Sequence, residues 1–136
     1  MKDTILAIAG KPGLCRLLTR GNNNLIVETI DEQKKRFPVG QRDRVTSLND
    51  VCMYSEEDDV PLMDIFQNIS DSLNGEVSPL HHKTATDAEL VAFMTTALPN
   101  WDQDRVRMSD IRKLLQWYNV LAKGGYKEYK DQETEN

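Results

Sequence analysis

The chain has 136 residues, 39% apolar and 29% charged, which suits one ordinary folded domain or two small ones and argues against disorder. A net charge of −5 opposes generalised attraction to nucleic acid, and no apolar run approaches the roughly 20 residues that span a bilayer. The N-terminus lacks the long apolar stretch of a secretory signal, so the expected location is cytoplasmic, with Cys15 and Cys52 as free, buried thiols.

Charge and hydropathy both change near residue 56. Residues 1–55 hold nine Lys and Arg against six Asp and Glu, whereas residues 56–136 hold eight against sixteen. Short apolar runs separated by turn residues give way to apolar positions at helical spacing. The fold expected is α+β by segregation: an N-terminal small all-β barrel, SH3- or Tudor-like, over 1–57, then a three-helix module over 58–125. A flexible charged tail is expected over 126–136.

In the first module, strands are predicted at Ile5–Ala9, Leu14–Thr19, Leu25–Ile30, Arg36–Val39 and Val51–Tyr54. Gly10-Lys11-Pro12-Gly13 reads as a turn. A phosphate loop needs a Ser or Thr after its Lys and a helix opening there, and Pro12 removes one of the N–H groups required. Gly21 through Asn24 is a hairpin signal, because Gly and Asn tolerate positive φ. Asp31 through Lys35 is a polar turn. Ser47-Leu48-Asn49-Asp50 predicts one helical turn capped by the Ser47 hydroxyl, placed before the last strand.

Two basic groups stand out. Lys34, Lys35 and Arg36 precede Phe37, and Arg42 and Arg44 follow it; Lys11, Arg16 and Arg20 form a looser set. Cations around an aromatic could hold a phosphodiester backbone and stack a base. The plainer readings are a solvated turn, with Phe37 in the core, or a surface that docks on the acidic second module.

In the second module, Glu56-Glu57-Asp58-Asp59 is a solvated acidic run leading to a helix start; it lacks the alternating ligands and central Gly of a calcium loop. Leu62, Ile65, Phe66, Ile69 and Leu73 make one apolar stripe for a helix from Pro61 to Leu73. His81-His82 lies in a linker with no further ligand at metal spacing. Thr86 and Glu89 form a capping box for a second helix. A connector through Trp101 and Val106 then leads to a third helix, capped by Ser109 and stopped by Gly124-Gly125. Helix, extended connector, helix resembles small nucleic-acid-binding modules in outline, and Arg105, Arg107, Arg112 and Lys113 supply cations, but the module is acidic.

The strings Ile8-Ala9-Gly10-Lys11-Pro12-Gly13-Leu14, Arg20-Gly21-Asn22-Asn23-Asn24-Leu25-Ile26-Val27-Glu28 and Arg36-Phe37-Pro38-Val39-Gly40 resemble a family of short bacterial proteins classed as a domain of unknown function. Asp104-Arg105-Val106, Ser109 through Leu115 and Trp117-Tyr118-Asn119 resemble the helical region of the same proteins. The resemblance implies a cytoplasmic location and this two-part layout, and it carries no catalytic residues.

No nucleophile–base pair, carboxylate pair or metal set stands out, so no catalytic residue, cofactor or metal ligand is expected and the chain is read as non-enzymatic. The expected function is protein–protein interaction as an adaptor. The alternative is RNA or single-stranded DNA binding through Lys34, Lys35, Arg36, Arg42 and Arg44 on the basic face of the β module.

Overall fold

The structure is a computed structural model that describes residues 3–11, 13–40 and 42–129. Five antiparallel strands, β1 (Ile5–Ile8), β2 (Cys15–Gly21), β3 (Asn24–Thr29), β4 (Arg36–Gly40) and β5 (Val45–Ser47), form one sheet in the order β4-β3-β2-β1-β5. Four of them lie where the apolar runs predict. Gly10 and Gly13 of the β1–β2 turn take positive φ, as does Asn23 in the β2–β3 hairpin; Pro12 lies outside the described residues.

The fifth strand differs from expectation. Val45–Ser47 pairs with β1 and precedes the 3-10 turn Leu48–Asp50, rather than following it. Val51–Tyr54, expected as the last barrel strand, instead supplies β6 (Cys52–Met53), which pairs with β7 (Val60–Pro61) on the way into the first helix. The Ser47 hydroxyl makes no capping bond; the Asn49 side chain does the local work, accepting from the Ile5 N–H at 3.0 Å.

The alternation of each strand separates two faces. Leu6, Ile8, Cys15, Val27 and Val39 gather on one, with Leu17, Leu25, Phe37 and Val45 around them, so all five strands and no helix contribute to this cluster. A flat five-stranded sheet would hold its edges about 19 Å apart. The connection from Gly40 to Val45 reaches about 18 Å at full extension, and it is not extended, because the Asp43 N–H bonds back to the Gly40 carbonyl at 3.2 Å. The sheet must therefore curl over its own apolar face. Its edges, β4 and β5, do not pair with each other among the described residues.

The other face meets three helices, α1 (Leu62–Leu73), α2 (Asp87–Ala97) and α3 (Met108–Lys123). Ile5, Leu14 and Leu48 join Phe66, Leu90, Met94, Leu115 and Tyr118 in one buried cluster. The two halves are thus docked through a shared apolar core. No ion pair crosses between residues 3–57 and 58–129 among the described residues, so opposite net charge is not what joins them.

Helix ends follow the predicted chemistry with one change. Thr86 and Glu89 form the expected capping box. The third helix begins earlier than expected: Arg107 is its N-cap, its N–H donating to the Asp110 carboxylate at 3.1 Å, and Ser109 lies inside the first turn. Trp101, expected to open a loose connector, is buried and donates from Nε1 to the Thr95 hydroxyl at 3.1 Å.

Residues 126–129, expected in a flexible tail, are instead held against the helices. Tyr126–Tyr129 packs as a strap, and residues 130–136 lie outside the described residues. Tyr129 is 0% exposed, its ring 5.6 Å from Phe66 and 6.3 Å from Tyr118. Its N–H donates to Gln67 Oε1 at 2.8 Å, and the Ser70 hydroxyl donates to the Lys127 carbonyl at 2.8 Å. The cysteines are free, but only Cys15 is buried; Cys52, at the start of β6, is exposed.

Candidate binding cleft

One row of paired residues organises the site. Ile5, Arg16, Glu28 and Arg36 stand opposite one another across β1, β2, β3 and β4, on the face that meets the helices. Ile5 is covered. Farther along the row, Glu28 is only 4% exposed, a buried charge that requires partners. Arg16 supplies Nε and a terminal nitrogen to Glu28 Oε1 at 2.8 and 2.5 Å, and Arg36 supplies Nε to Oε2 at 3.0 Å. The Arg16 guanidinium, followed by that of Arg36, holds the Glu28 carboxyl below the usual carboxylate range.

The β3–β4 turn is built by Asp31. Its Oδ1 accepts from the Thr29 hydroxyl at 2.8 Å and from the N–H groups of Gln33 and Lys34 at 3.0 and 2.9 Å. The Thr29 hydroxyl oxygen in turn accepts from the Lys35 N–H at 2.9 Å. These bonds, the Thr29 one foremost, keep Asp31 ionised below its ordinary range. They also fix Lys34 in the left-handed region, at φ 49°, where a side chain with a Cβ is disfavoured.

The opposite wall is the end of α3. Gly125, at φ 98°, lets its N–H reach the Ala122 carbonyl while the Tyr126 N–H reaches the Leu121 carbonyl, the bonding of a Schellman stop. Gly124 brings helix and sheet together: a Cβ there would lie 2.6 Å from Ile30 Cγ2. Tyr126 then turns its hydroxyl to Asp3 Oδ2, which also lies 3.8 Å from Arg16. Burial, reinforced by Asp3, pushes the Tyr126 phenol well above its ordinary range, so it stays a hydrogen-bond donor.

Between these walls lies a cleft of about 840 Å³, lined from the sheet by Arg16, Glu28 and residues 29–34 and from the helical half by Val120, Lys123, Gly124 and Tyr126. Ile30 and Val120 give it an apolar floor. Lys34 and Lys123 stand on opposite sides of it.

The expected basic set is not gathered in this cleft. Lys34 lines it, Lys35 continues the same turn, and Arg36 is 68% exposed with its guanidinium on Glu28. Arg42 and Arg44 lie on the β4–β5 connection, where the Arg44 carbonyl accepts from the Ala9 N–H at 2.9 Å. Phe37 is half-buried in the strand cluster with the Lys11 ammonium 4.8 Å from its ring centroid. Glu28, Lys123 and Tyr126 have no place in the expected site, and Arg16 belongs only to its looser basic set. The available signal is a charged residue beside the apolar ones of each strand, at 16, 28 and 36, which becomes a row only once the register is known.

Elsewhere, Arg105 stacks on Tyr54 at 4.2 Å and pairs with Asp102 at 2.8 Å, while Arg112 donates to the His82 carbonyl at 2.8 Å and faces Asp87 at 3.7 Å. Lys113 lies over the Trp117 ring at 5.9 Å, so three of the four cations expected on the connector and third helix are engaged internally. His81 and His82 stack at 4.6 Å; burial, then His81, Lys83 and Arg112, lowers the His82 pKa. Among the described residues, no group of three or more His, Cys, Asp or Glu is placed to hold a metal ion, and no helix is long and apolar enough to cross a membrane.

Residues 51–121 match the family described as Domain of unknown function (DUF6852), and residues 3–48 match Domain of unknown function (DUF5606). The boundary between the matches falls beside the 3-10 turn, where the sheet ends. The chain is similar to a protein from Bacteroides vulgatus whose solution NMR structure was solved as a structural-genomics target. The identity is 46%, the TM-score 0.76, and the match covers 95% of this chain and 91% of that one. No curated protein matches the chain significantly.

Proposed function

The chain belongs to the family described as Domain of unknown function (DUF6852), and we propose that it is a non-enzymatic adaptor that binds a segment of a partner protein. The observation that carries this reading is the cleft between the β3–β4 turn and the end of α3, to which both halves contribute walls, an apolar floor and charged rims. A partner held there contacts both halves at once. The strap, Gly124 and the shared core hold those walls in place beforehand, which lowers the ordering cost of binding.

We take the curled five-stranded sheet to be a small SH3-like barrel, supported by its strand order and by the cluster to which all five strands contribute, and we place the protein in a bacterial cytoplasm. Its β4 edge is poorly suited to accepting a peptide strand, because Pro38 sits in the middle of it without an N–H. The cleft is the better receptor. Nucleic-acid binding is the second reading, favoured by the successive exposed cations Lys34, Lys35 and Arg36. It ranks lower because Glu28 engages Arg36 and because Phe37 offers no free face for a base.

Selection of a displayed random-peptide library on the immobilised full chain tests the adaptor reading. Enriched peptides should lose binding to Gln33→Trp, which fills the exposed rim without touching either core. Recovery only of peptides indifferent to that substitution would count against the cleft as the receptor.

A further inference from the structure

We infer, as a deepening that rests on the adaptor reading, that the cleft takes an extended acidic segment of the partner protein. Its carboxylates meet Lys34 and Lys123, and an apolar side chain lies between them on Ile30 and Val120.

Most of the acids lining the cleft are already engaged. Both oxygens of Glu28 are held by arginines, and Asp31 Oδ1 takes three donors within its own turn. Of the acids, only Glu32 stands exposed on the rim without a hydrogen bond among the described residues. The cations are the opposite case. Lys34 and Lys123 are exposed, come from different halves, and join no ion pair among the described residues. Lys34 projects from a turn pinned by Asp31, so less is lost in ordering it than for a lysine on a loose loop.

The remaining surface sharpens the selection. With a net charge of −5, and with sixteen acids against eight cations over residues 56–136, most of the molecule repels an acidic peptide. Productive contact must then be local to a place where cations are unpaired beside apolar surface. The cleft supplies that combination.

Fluorescence anisotropy of the full chain with a labelled peptide alternating Glu and Leu tests this, beside matched peptides carrying Lys or Ser for Glu and a labelled single-stranded RNA. The Glu/Leu peptide should bind, and Lys34→Glu/Lys123→Glu should weaken it by about tenfold or more while improving the Lys/Leu peptide. Lys34→Ala/Lys123→Ala should weaken it without that reversal, and Lys83→Glu, elsewhere on the surface, should leave it unchanged. Equal binding of the Ser/Leu or Lys/Leu peptide to the unmodified protein would overturn the acidic preference and leave the adaptor reading standing. Binding of RNA alone, lost in the same charge-reversal variant, would overturn both in favour of nucleic acid. Failure of every peptide and of the RNA would also overturn both.

Discussion

The row Ile5–Arg16–Glu28–Arg36 passes through two environments on one face of one sheet. At β1 it ends in Ile5, which disappears beneath the helices with Leu14 and Leu48. At β2, β3 and β4 it becomes a carboxylate between two arginines, facing a cleft. The dry end joins the two halves through one buried cluster. At the polar end the halves part and leave the cleft between them. The chemistry differs because the helices reach only part of the sheet, and Gly124 against Ile30 marks where that contact stops.

The largest expected effect is at the dry end. Ile5→Ala should cost about 2–5 kcal/mol and lower the urea midpoint of the sheet and of the helical half together. Fluorescence from Trp101 and Trp117, both in the helical half, and amide exchange in β2 and β3 would report the two separately. A midpoint that moves for the sheet alone would show that the halves unfold separately. Next comes Gly124→Ala, whose Cβ meets Ile30 at 2.6 Å. With φ at −78° the backbone accepts alanine, so the effect is overpacking, about 1–3 kcal/mol. It should be accompanied by amide shifts in residues 29–34 and 120–126.

At the polar end the effects depend on pH. The folded pKa of Glu28 lies below its unfolded value, so its stabilisation is fully present above about pH 4.3 and is lost as pH falls through the lower folded pKa. Glu28→Gln should therefore lower the thermal midpoint at neutral pH, and the gap from the unmodified protein should close on acidification. A gap that stays constant down to pH 3 would show that the carboxylate's charge is not what the arginines hold. A smaller change is expected for Lys34→Gly, which relieves the left-handed backbone and should raise stability by at most about 1 kcal/mol while weakening peptide binding. The smallest perturbation is chemical labelling. Cys52 should react with a thiol reagent in the native state, and Cys15, buried and with its thiol pKa raised by that burial, should react only on unfolding.

Much of the layout is legible in the residues because its signals are local. Hairpin residues from Gly21 to Asn24, the helical stripe from Leu62 to Leu73 and the Thr86–Glu89 capping box each act within a few positions. What escapes depends on partners distant in sequence. Val45–Ser47 is too short to announce itself and becomes a strand only against β1. Val51–Tyr54 has a strand's composition, but its partner is Val60–Pro61 rather than the sheet. Tyr129, surrounded by charge, reads as tail until Phe66 and Tyr118 are seen to enclose it. The cleft is the extreme case. Lys34 and Lys123 belong to one site only after the sheet has curled and α3 has stopped at Gly124, and neither neighbourhood points to the other.

A cleft walled by both halves should answer one ligand as one site. Titration of isotopically labelled full-length protein with the Glu/Leu peptide, followed by amide chemical shifts, tests it most directly. Thr29–Lys35 and Val120–Tyr126 should shift together, with one saturation curve. Shifts confined to one of these stretches, or centred elsewhere on the surface, would contradict it.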